Sequence, residues 1–118
     1  GKNVKEIEEY AFAGSTIKNA LMNRSKLLTE IGQYAFSECE NLIQADMPRN
    51  LVTIGDYAFN SCLKLRTAQF RGNPENIGTF VFDACPKVTI RLKSDAKKVQ
   101  EYADLYLLKY EVTDYTAK

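Results

Sequence analysis

A ten-residue segment that occurs four times limits this chain to a repeat architecture. Residues 30–39, EIGQYAFSEC, return as TIGDYAFNSC at residues 53–62 and more loosely as NIGTFVFDAC at residues 76–85, while residues 6–15 carry an earlier version. The isoleucines in the second position are separated by 24, 23 and 23 residues: Ile7, Ile31, Ile54 and Ile77. A single unit of this length cannot bury its apolar residues alone, so neighbouring units are predicted to stack around one continuous core.

The second half of each unit predicts a short strand. Residues 42–50 and 65–73 both follow the pattern L-x-x-A-x-Φ-x-x-N, in which Φ is a large apolar residue. The alternation of Ala45 with Met47 suits a strand with one buried face, and the whole pattern is the strand-plus-turn signature of a leucine-rich repeat. The first unit fits it less regularly, with Ile17, Ala20 and Met22. We therefore predict an α/β solenoid of about four 23-residue turns, with helical bends around the Tyr-Ala-Phe columns.

Residues that recur in register should form columns along the stack. One is a buried ladder of rings, Phe12, Phe36, Phe59 and Phe82. A second lies closer to the surface because tyrosine hydroxyls need polar partners: Tyr10, Tyr34, Tyr57 and Phe80. A third is expected at a tight bend or a positive φ: Gly32, Gly55 and Gly78. Asn50 and Asn73 are expected to hydrogen-bond backbone groups of adjacent turns.

A C-terminal helix is predicted to close the stack. The boundaries that follow are 1–93 for the repeats and 94–118 for the capping helix and its tail, with the helix over about 95–109. Ser94 suits the N-cap, and Asp95 would lie in the first turn, where the helix dipole favours an acid. An apolar stripe at helical spacing supplies the buried face: Val99, Tyr102, Ala103 and Tyr106, widened by Leu105 and Leu108. An extended tail is expected to continue the packing through Tyr110, Val112 and Tyr115.

The repeated unit resembles the BspA-like leucine-rich repeats, whose units read roughly L-x-x-I-G-x-x-A-F-x-x-C-x-x-L-x-x-I-x-I-P. The third unit matches that pattern at Ile54-Gly55, Ala58-Phe59, Cys62 and Leu65, and the likeness runs from about Val4 to the end. What the resemblance implies is a bacterial surface or secreted protein used in adhesion, or an interaction module in a larger protein. Repeat families serve many partners, so the likeness gives a class of function and no specific ligand.

Composition excludes several classes of function. Sixteen basic and fifteen acidic residues leave a net charge of +1, which is no electrostatic footprint for nucleic acid. The chain has no histidine, so Ser-His-Asp and Cys-His catalysis are excluded. No apolar run approaches the roughly 20 residues of a membrane-spanning helix. We expect no cofactor, no membrane insertion and a monomer.

The three cysteines admit two interpretations. Cys39, Cys62 and Cys85 occupy one column, with Ser15 at the same position of the first unit. A metal or redox site is one interpretation, but structural zinc takes four close ligands, whereas these thiols lie 23 residues apart in the sequence. Cysteine is often buried as a small apolar residue, and we favour a buried column of free thiols.

Scattered charges could serve an enzyme or an anion site, but a hydrated surface is favoured for both sets. Glycosidases hold two carboxylates across a cleft, and a four-turn stack is expected to offer no cleft. The acids in question are Glu6, Glu8, Glu9, Glu30, Asp46, Asp56 and Asp83. The basic cluster beside the cap is Lys93, Lys97 and Lys98.

The exposed side of the strand columns is the candidate binding surface, because solenoids present such residues as an extended face. The candidate protein-binding residues are Gln44, Asp46, Thr67, Gln69, Arg71 and Arg91. The function predicted is a non-catalytic, adhesion-type module for a protein ligand whose identity is open. The alternatives are a purely structural end segment of a longer array, or an accessory region of an enzyme. Simple solvation of these polar residues is an equally open interpretation.

Overall fold

A computed structural model describes residues 5–114 and shows a solenoid built from short parallel strands. Its elements are β1 (Glu6–Ile7), β2 (Asn19–Leu21), β3 (Glu30–Ile31), β4 (Gln44–Asp46), β5 (Thr53–Ile54), β6 (Thr67–Gln69), β7 (Asn76–Ile77), β8 (Thr89–Leu92), α1 (Lys97–Leu105) and β9 (Lys109–Val112). The predicted mixed α/β solenoid is confirmed. It has about five turns instead of four, because β9 adds a final strand after the helix.

Two parallel sheets run along the stack, one on each side of the core. The first has the order β1-β3-β5-β7 and the second the order β2-β4-β6-β8-β9. Isoleucines pair in register along the first sheet, with Ile31 opposite Ile7 and Ile54, as the repeat spacing predicts. In the second sheet Ala45 pairs with Ala20 and Ala68. Identical positions therefore stack directly above one another.

The aromatic columns form as predicted. Ring centroids along the phenylalanine ladder are 5.2, 4.9 and 5.5 Å apart, from Phe12 through Phe36 and Phe59 to Phe82. The last three of these rings are buried, but Phe12 is 42% exposed. The outer column stacks at 4.9, 5.2 and 5.7 Å, from Tyr10 through Tyr34 and Tyr57 to Phe80.

The bends are not helical, and on this point the prediction is wrong. Each bend contains two residues in the left-handed region, with φ between 53° and 60° at the first position: Tyr10, Tyr34, Tyr57 and Phe80. The second position has φ between 56° and 72°: Gly14, Glu38, Ser61 and Ala84. Backbone N–H groups of one bend donate to carbonyls of the next, as Phe36 does to Ala58 at 2.7 Å. These bonds between turns alternate with i→i−3 bonds within the bend, such as that from the Ala35 N–H to the Gly32 carbonyl at 3.2 Å, whereas an α-helix would use i→i−4 bonds throughout.

The glycine column is explained by close approach between turns. Gly32, Gly55 and Gly78 do not have a positive φ, so the tight packing carries the explanation. A Cβ on Gly55 would lie 2.5 Å from the backbone nitrogen of Gln33 in the preceding turn. Only glycine lets the two backbones come this close.

The helix α1 is shorter than predicted and begins differently. It spans Lys97–Leu105, with Ala96 at the N-cap and no acid in the first turn, so the roles expected of Ser94 and Asp95 are wrong. Asn73 lies between β6 and β7, and its side-chain Oδ1 accepts from the Lys98 N–H at 2.9 Å. Asn50 also behaves as predicted, donating from Nδ2 to the Lys26 carbonyl at 2.9 Å.

The C-terminal segment covers the last turn of the stack. Val99 and Ala103 are buried, and the Tyr102 hydroxyl accepts from the Val81 N–H at 2.9 Å. Leu105 was expected to widen the buried stripe but is 75% exposed. The tail is extended and runs parallel to β8 as β9, and Tyr110 packs against the core as predicted. Val112 is 48% exposed, so the packing predicted for it is wrong. Tyr115 lies outside the described residues.

Candidate functional site

The outward face of the five-stranded sheet is organised in rows that cross the strands. Backbone register places Gln44 beside Thr67, and Thr67 beside Thr89. The next row runs through all five strands, as Leu21, Asp46, Gln69, Arg91 and Glu111. Neighbouring strands lie about 4.8 Å apart, so these side chains are direct neighbours. The structure thus brings the predicted binding residues together on one face.

Asp46 and Arg71 form the central ion pair of this face. Arg71 Nε donates to Asp46 Oδ1 and Arg71 Nη2 donates to Asp46 Oδ2, both at 2.9 Å. The side chains are 8% and 29% exposed for Asp46 and Arg71 respectively, so water screens the pair only partly. Two parallel bonds from a planar guanidinium to a carboxylate also fix the direction of both side chains.

Two of the predicted contact residues are not exposed, which corrects the sequence interpretation. Over the whole residue, backbone included, Asp46 is 5% exposed and Gln69 is 4% exposed. Asp46 lies beneath the Arg71 guanidinium, and Gln69 is packed between neighbouring strands, where its Nε2 donates to the Phe70 carbonyl at 3.5 Å. Long side chains of adjacent turns therefore shield the shorter ones between them.

Other side chains make the accessible part of the face. Gln44 is exposed, and Thr67 and Arg91 are half-buried. Arg91 Nε lies 3.1 Å from Glu111 Oε1, in an ion pair open to solvent. Leu21, at the end of the same row, is 61% exposed. The face therefore combines paired charges, uncharged polar groups and one apolar side chain.

The cysteine column is buried and its thiols are free. Each sulfur donates to a phenylalanine carbonyl of the preceding turn: Cys39 to Phe12 at 3.2 Å, Cys62 to Phe36 at 3.2 Å and Cys85 to Phe59 at 3.0 Å. Burial raises the pKa of Cys39, while the neighbouring Cys85 thiol and burial together raise the pKa of Cys62. Cys39 and Cys62 therefore have the surroundings of unreactive thiols, because the thiolate is the nucleophile and the metal ligand.

Among residues 5–114, no group of three or more cysteine, aspartate or glutamate side chains is arranged to hold a metal ion. The scattered acids of the sequence therefore form no metal-binding cluster in this part of the chain. Asp56, for example, accepts from the Thr79 N–H at 2.8 Å and so serves the turn-to-turn packing. In the same part of the chain, no helix is long and apolar enough to cross a membrane.

A groove at the C-terminal end was missed by the sequence analysis, which expected no cleft. It measures about 340 Å³ and lies between the last bend and the end of α1. Its walls are mostly apolar and include Phe80, Phe82, Ala84, Pro86, Tyr102, Tyr106 and Leu108. The apolar residues near the end of α1 were the available signal, but a groove depends on where the helix lies against the last turn.

Comparison with known proteins agrees with the repeat geometry. The chain matches no curated protein and no solved structure at a significant level. A family model, the BspA type leucine-rich repeat region, matches residues 1–106 with six copies. The matched region contains all four copies of the isoleucine, the phenylalanine ladder and the whole of α1. The chain belongs to the BspA-type leucine-rich repeat family.

Proposed function

We propose that this chain is a non-catalytic protein-interaction module of the adhesion type, in a bacterial surface or secreted protein. The proposed contact surface is the outward face of the five-stranded sheet, with Gln44, Thr67, Arg71 and Arg91 as the residues that meet a partner. Asp46 and Gln69 support that face from below. The observation that carries the proposal is the Asp46–Arg71 pair, which holds a charged group in a fixed direction at the centre of the face.

A fixed ion pair favours recognition because little side-chain entropy is lost when a partner binds. The Arg71 guanidinium already donates to both carboxylate oxygens of Asp46. We therefore expect a partner to contact the exposed edge of this ion pair without breaking it. Arg91 on β8 and Glu111 on β9 continue the row of Asp46 and Gln69, and they extend the polar surface. Complementary charge of this kind mainly sets specificity and the rate of association.

The surface suits a protein better than a small molecule. Five strands about 4.8 Å apart make a shallow face roughly 20 Å wide, without walls to enclose a ligand. A stable protein interface buries about 800 Å² on each partner, which is more than this face offers alone. We therefore expect weak binding by the 118-residue chain and tighter binding when further repeats extend the same sheet.

The test uses the 118-residue chain and purified host matrix proteins, immobilised one at a time, with binding followed by biolayer interferometry. The contact variant replaces Gln44, Thr67 and Arg91 with alanine. The matched control replaces Glu30, Thr53 and Asn76, which lie on the opposite sheet, also with alanine. We expect at least about a tenfold loss of affinity for the contact variant, equivalent to 1.4 kcal/mol, and no change for the control.

Equal binding by both variants and the unmodified chain would reject the sheet face as the contact surface. No binding to any matrix protein would favour the other candidate function, a structural end segment. That alternative has its own support, since α1 and β9 cover the last turn of the stack.

A further inference from the structure

The bends of this solenoid are joined by a regular set of backbone hydrogen bonds. In each of the first three turns, N–H groups at three alternate positions donate to carbonyls of the following turn, at 2.7 to 3.1 Å. In the second turn, for example, Tyr34, Phe36 and Glu38 donate to the segment 56–60. Each bend therefore presents a row of donors along one edge, and the next bend covers that row.

The last bend has the same row of N–H donors, but no following turn supplies carbonyl acceptors for them within the described residues. Phe80, Phe82 and Ala84 occupy the three donor positions, and no acceptor for their N–H groups lies within residues 5–114. The helix that follows supplies only the Tyr102 hydroxyl, and that group accepts from Val81 instead. An N–H group without a partner costs free energy comparable to a lost hydrogen bond when it is removed from water.

The groove of about 340 Å³ opens directly beside these donors. Its walls include Phe80, Phe82 and Ala84 on one side, and Tyr106 and Leu108 on the other. It continues the turn-to-turn interface of the stack, because the same bend edge is covered by the following turn everywhere earlier in the chain. A peptide backbone would satisfy the donors, and an apolar side chain would fill the groove.

We propose that this groove binds a short peptide segment of a partner protein. Two carbonyls of the segment, two residues apart, accept from the N–H groups of Phe82 and Ala84. One large apolar side chain of the segment packs against Tyr106 and Leu108. This is recognition by backbone addition to an open edge, with one pocket supplying the side-chain specificity.

A second copy of the chain fits this site poorly. In a continuing stack, the next ring of the outer column would lie on Phe80, but Tyr106 already packs there edge-on at 5.3 Å. A complete further turn would therefore meet Tyr106, whereas the groove of about 340 Å³ is open to a short segment.

The probe is an acetylated and amidated hexapeptide with the sequence of residues 56–61, which covers the equivalent edge two turns earlier. It is titrated into the isotopically labelled 118-residue chain and followed by amide chemical shifts. We expect saturable shifts at Phe80, Phe82 and Ala84, with the largest downfield changes at the two donating amides. The control peptide, with both aromatic residues replaced by alanine, should bind at least about tenfold more weakly, because the groove loses its apolar occupant.

The protein variant is Ala84→Glu, which puts a carboxylate into the apolar groove and should raise the Kd at least about tenfold. We expect this variant to fold, because Glu38 already occupies the same left-handed position two turns earlier. Ser61→Glu is the matched control, with the same charge change at the same position outside the groove, and it should bind normally. A second variant, Pro86→Glu, has the corresponding precedent of Glu40 and should weaken binding as Ala84→Glu does.

The proposal is overturned if the peptide shifts no amide of the last bend at millimolar concentration, or if Ala84→Glu and Ser61→Glu bind it equally. Concentration-dependent dimerisation of the chain that protects the same amides would also overturn it, in favour of a second copy. The sheet variant at Gln44, Thr67 and Arg91 should bind the peptide normally. Peptide binding by the groove is therefore tested separately from partner binding by the sheet face.

Discussion

Arg71 reaches back one turn and bonds both carboxylate oxygens of Asp46 at 2.9 Å, so a side chain of one repeat fixes a side chain of its neighbour. Repeat proteins are stabilised mainly by nearest-neighbour contacts, and this pair adds a charged contact to the apolar packing and hydrogen bonds that join the turns. The same pair lies on the proposed binding face. Its effects on stability and on binding must therefore be measured separately.

Asp46→Ala should lower the free energy of unfolding by about 1.5–3 kcal/mol, because it leaves a half-buried guanidinium without its two charged acceptors. The matched control is Glu111→Ala, which removes an ion pair to Arg91 that water screens, and it should cost about 0–1 kcal/mol. Urea denaturation at neutral pH measures both. Equal losses would show that burial of the Asp46 pair has no energetic consequence.

Phe59→Ala should cost about 3–5 kcal/mol, since it opens a cavity between two rings that are 4.9 and 5.5 Å away. Phe12→Ala removes the same ring from the partly exposed end of the ladder and should cost about 1–2 kcal/mol. Chemical denaturation of the two variants gives the comparison. A loss below about 1 kcal/mol for Phe59→Ala would contradict its place in the core.

The three thiols should react slowly with a disulfide reagent in the folded protein. Cys39 and Cys62 are fully buried and their pKa values are raised, so little thiolate is present or accessible. Cys85 is 8% exposed and should react first. The control is the same assay in denaturant, where all three should react quickly. Rapid labelling of all three without denaturant would disprove the buried column.

Stability should decrease above about pH 10 in a way that depends on Tyr102. Burial raises the pKa of Tyr102 above its ordinary value of 10.0, so the folded state keeps this proton at a pH where the unfolded state has lost it. The folded state then binds more protons, and the free energy of unfolding falls as pH rises. Tyr102→Phe should flatten this decline in thermal melts of the variant. A pH profile identical to that of the unmodified chain would contradict the assignment.

A chain that ends at Lys93 should have a melting temperature at least about 10 °C lower, because the last turn would lose the cover of α1 and β9. Removal of residues 1–5 is the control and should have a much smaller effect. A truncated chain that remained monomeric with an unchanged melting temperature would refute the capping role.

The sequence predicted the features that depend on repetition alone. The spacing of Ile31 and Ile54 implied parallel pairing in register, and the recurrence of Phe36 and Phe59 implied a stacked ladder. Both follow because identical side chains at a fixed period must meet when turns stack. The likeness to the BspA-type repeats rests on the same residues.

Features that depend on contacts between turns could not be predicted. Tyr34 adopts a positive φ, with its N–H bonded to a carbonyl of the next turn, although local sterics disfavour that conformation for tyrosine. The start of α1 is held by Asn73, which lies more than 20 residues earlier and cannot be identified by a search for nearby caps. Asp46 is buried by the length of the Arg71 side chain, although its strand position faces outward.

The close approach at the glycine column has a consequence for how such a chain can lengthen. Because Gly55 and Gly78 set a constant rise per turn, a duplicated 23-residue unit inserted between them would meet both neighbours in the correct register. The helix and the groove at the C-terminal end would move outward as one body and keep their own contacts. Gene duplication could therefore lengthen the sheet face while the residues of the groove beside α1 are inherited unchanged.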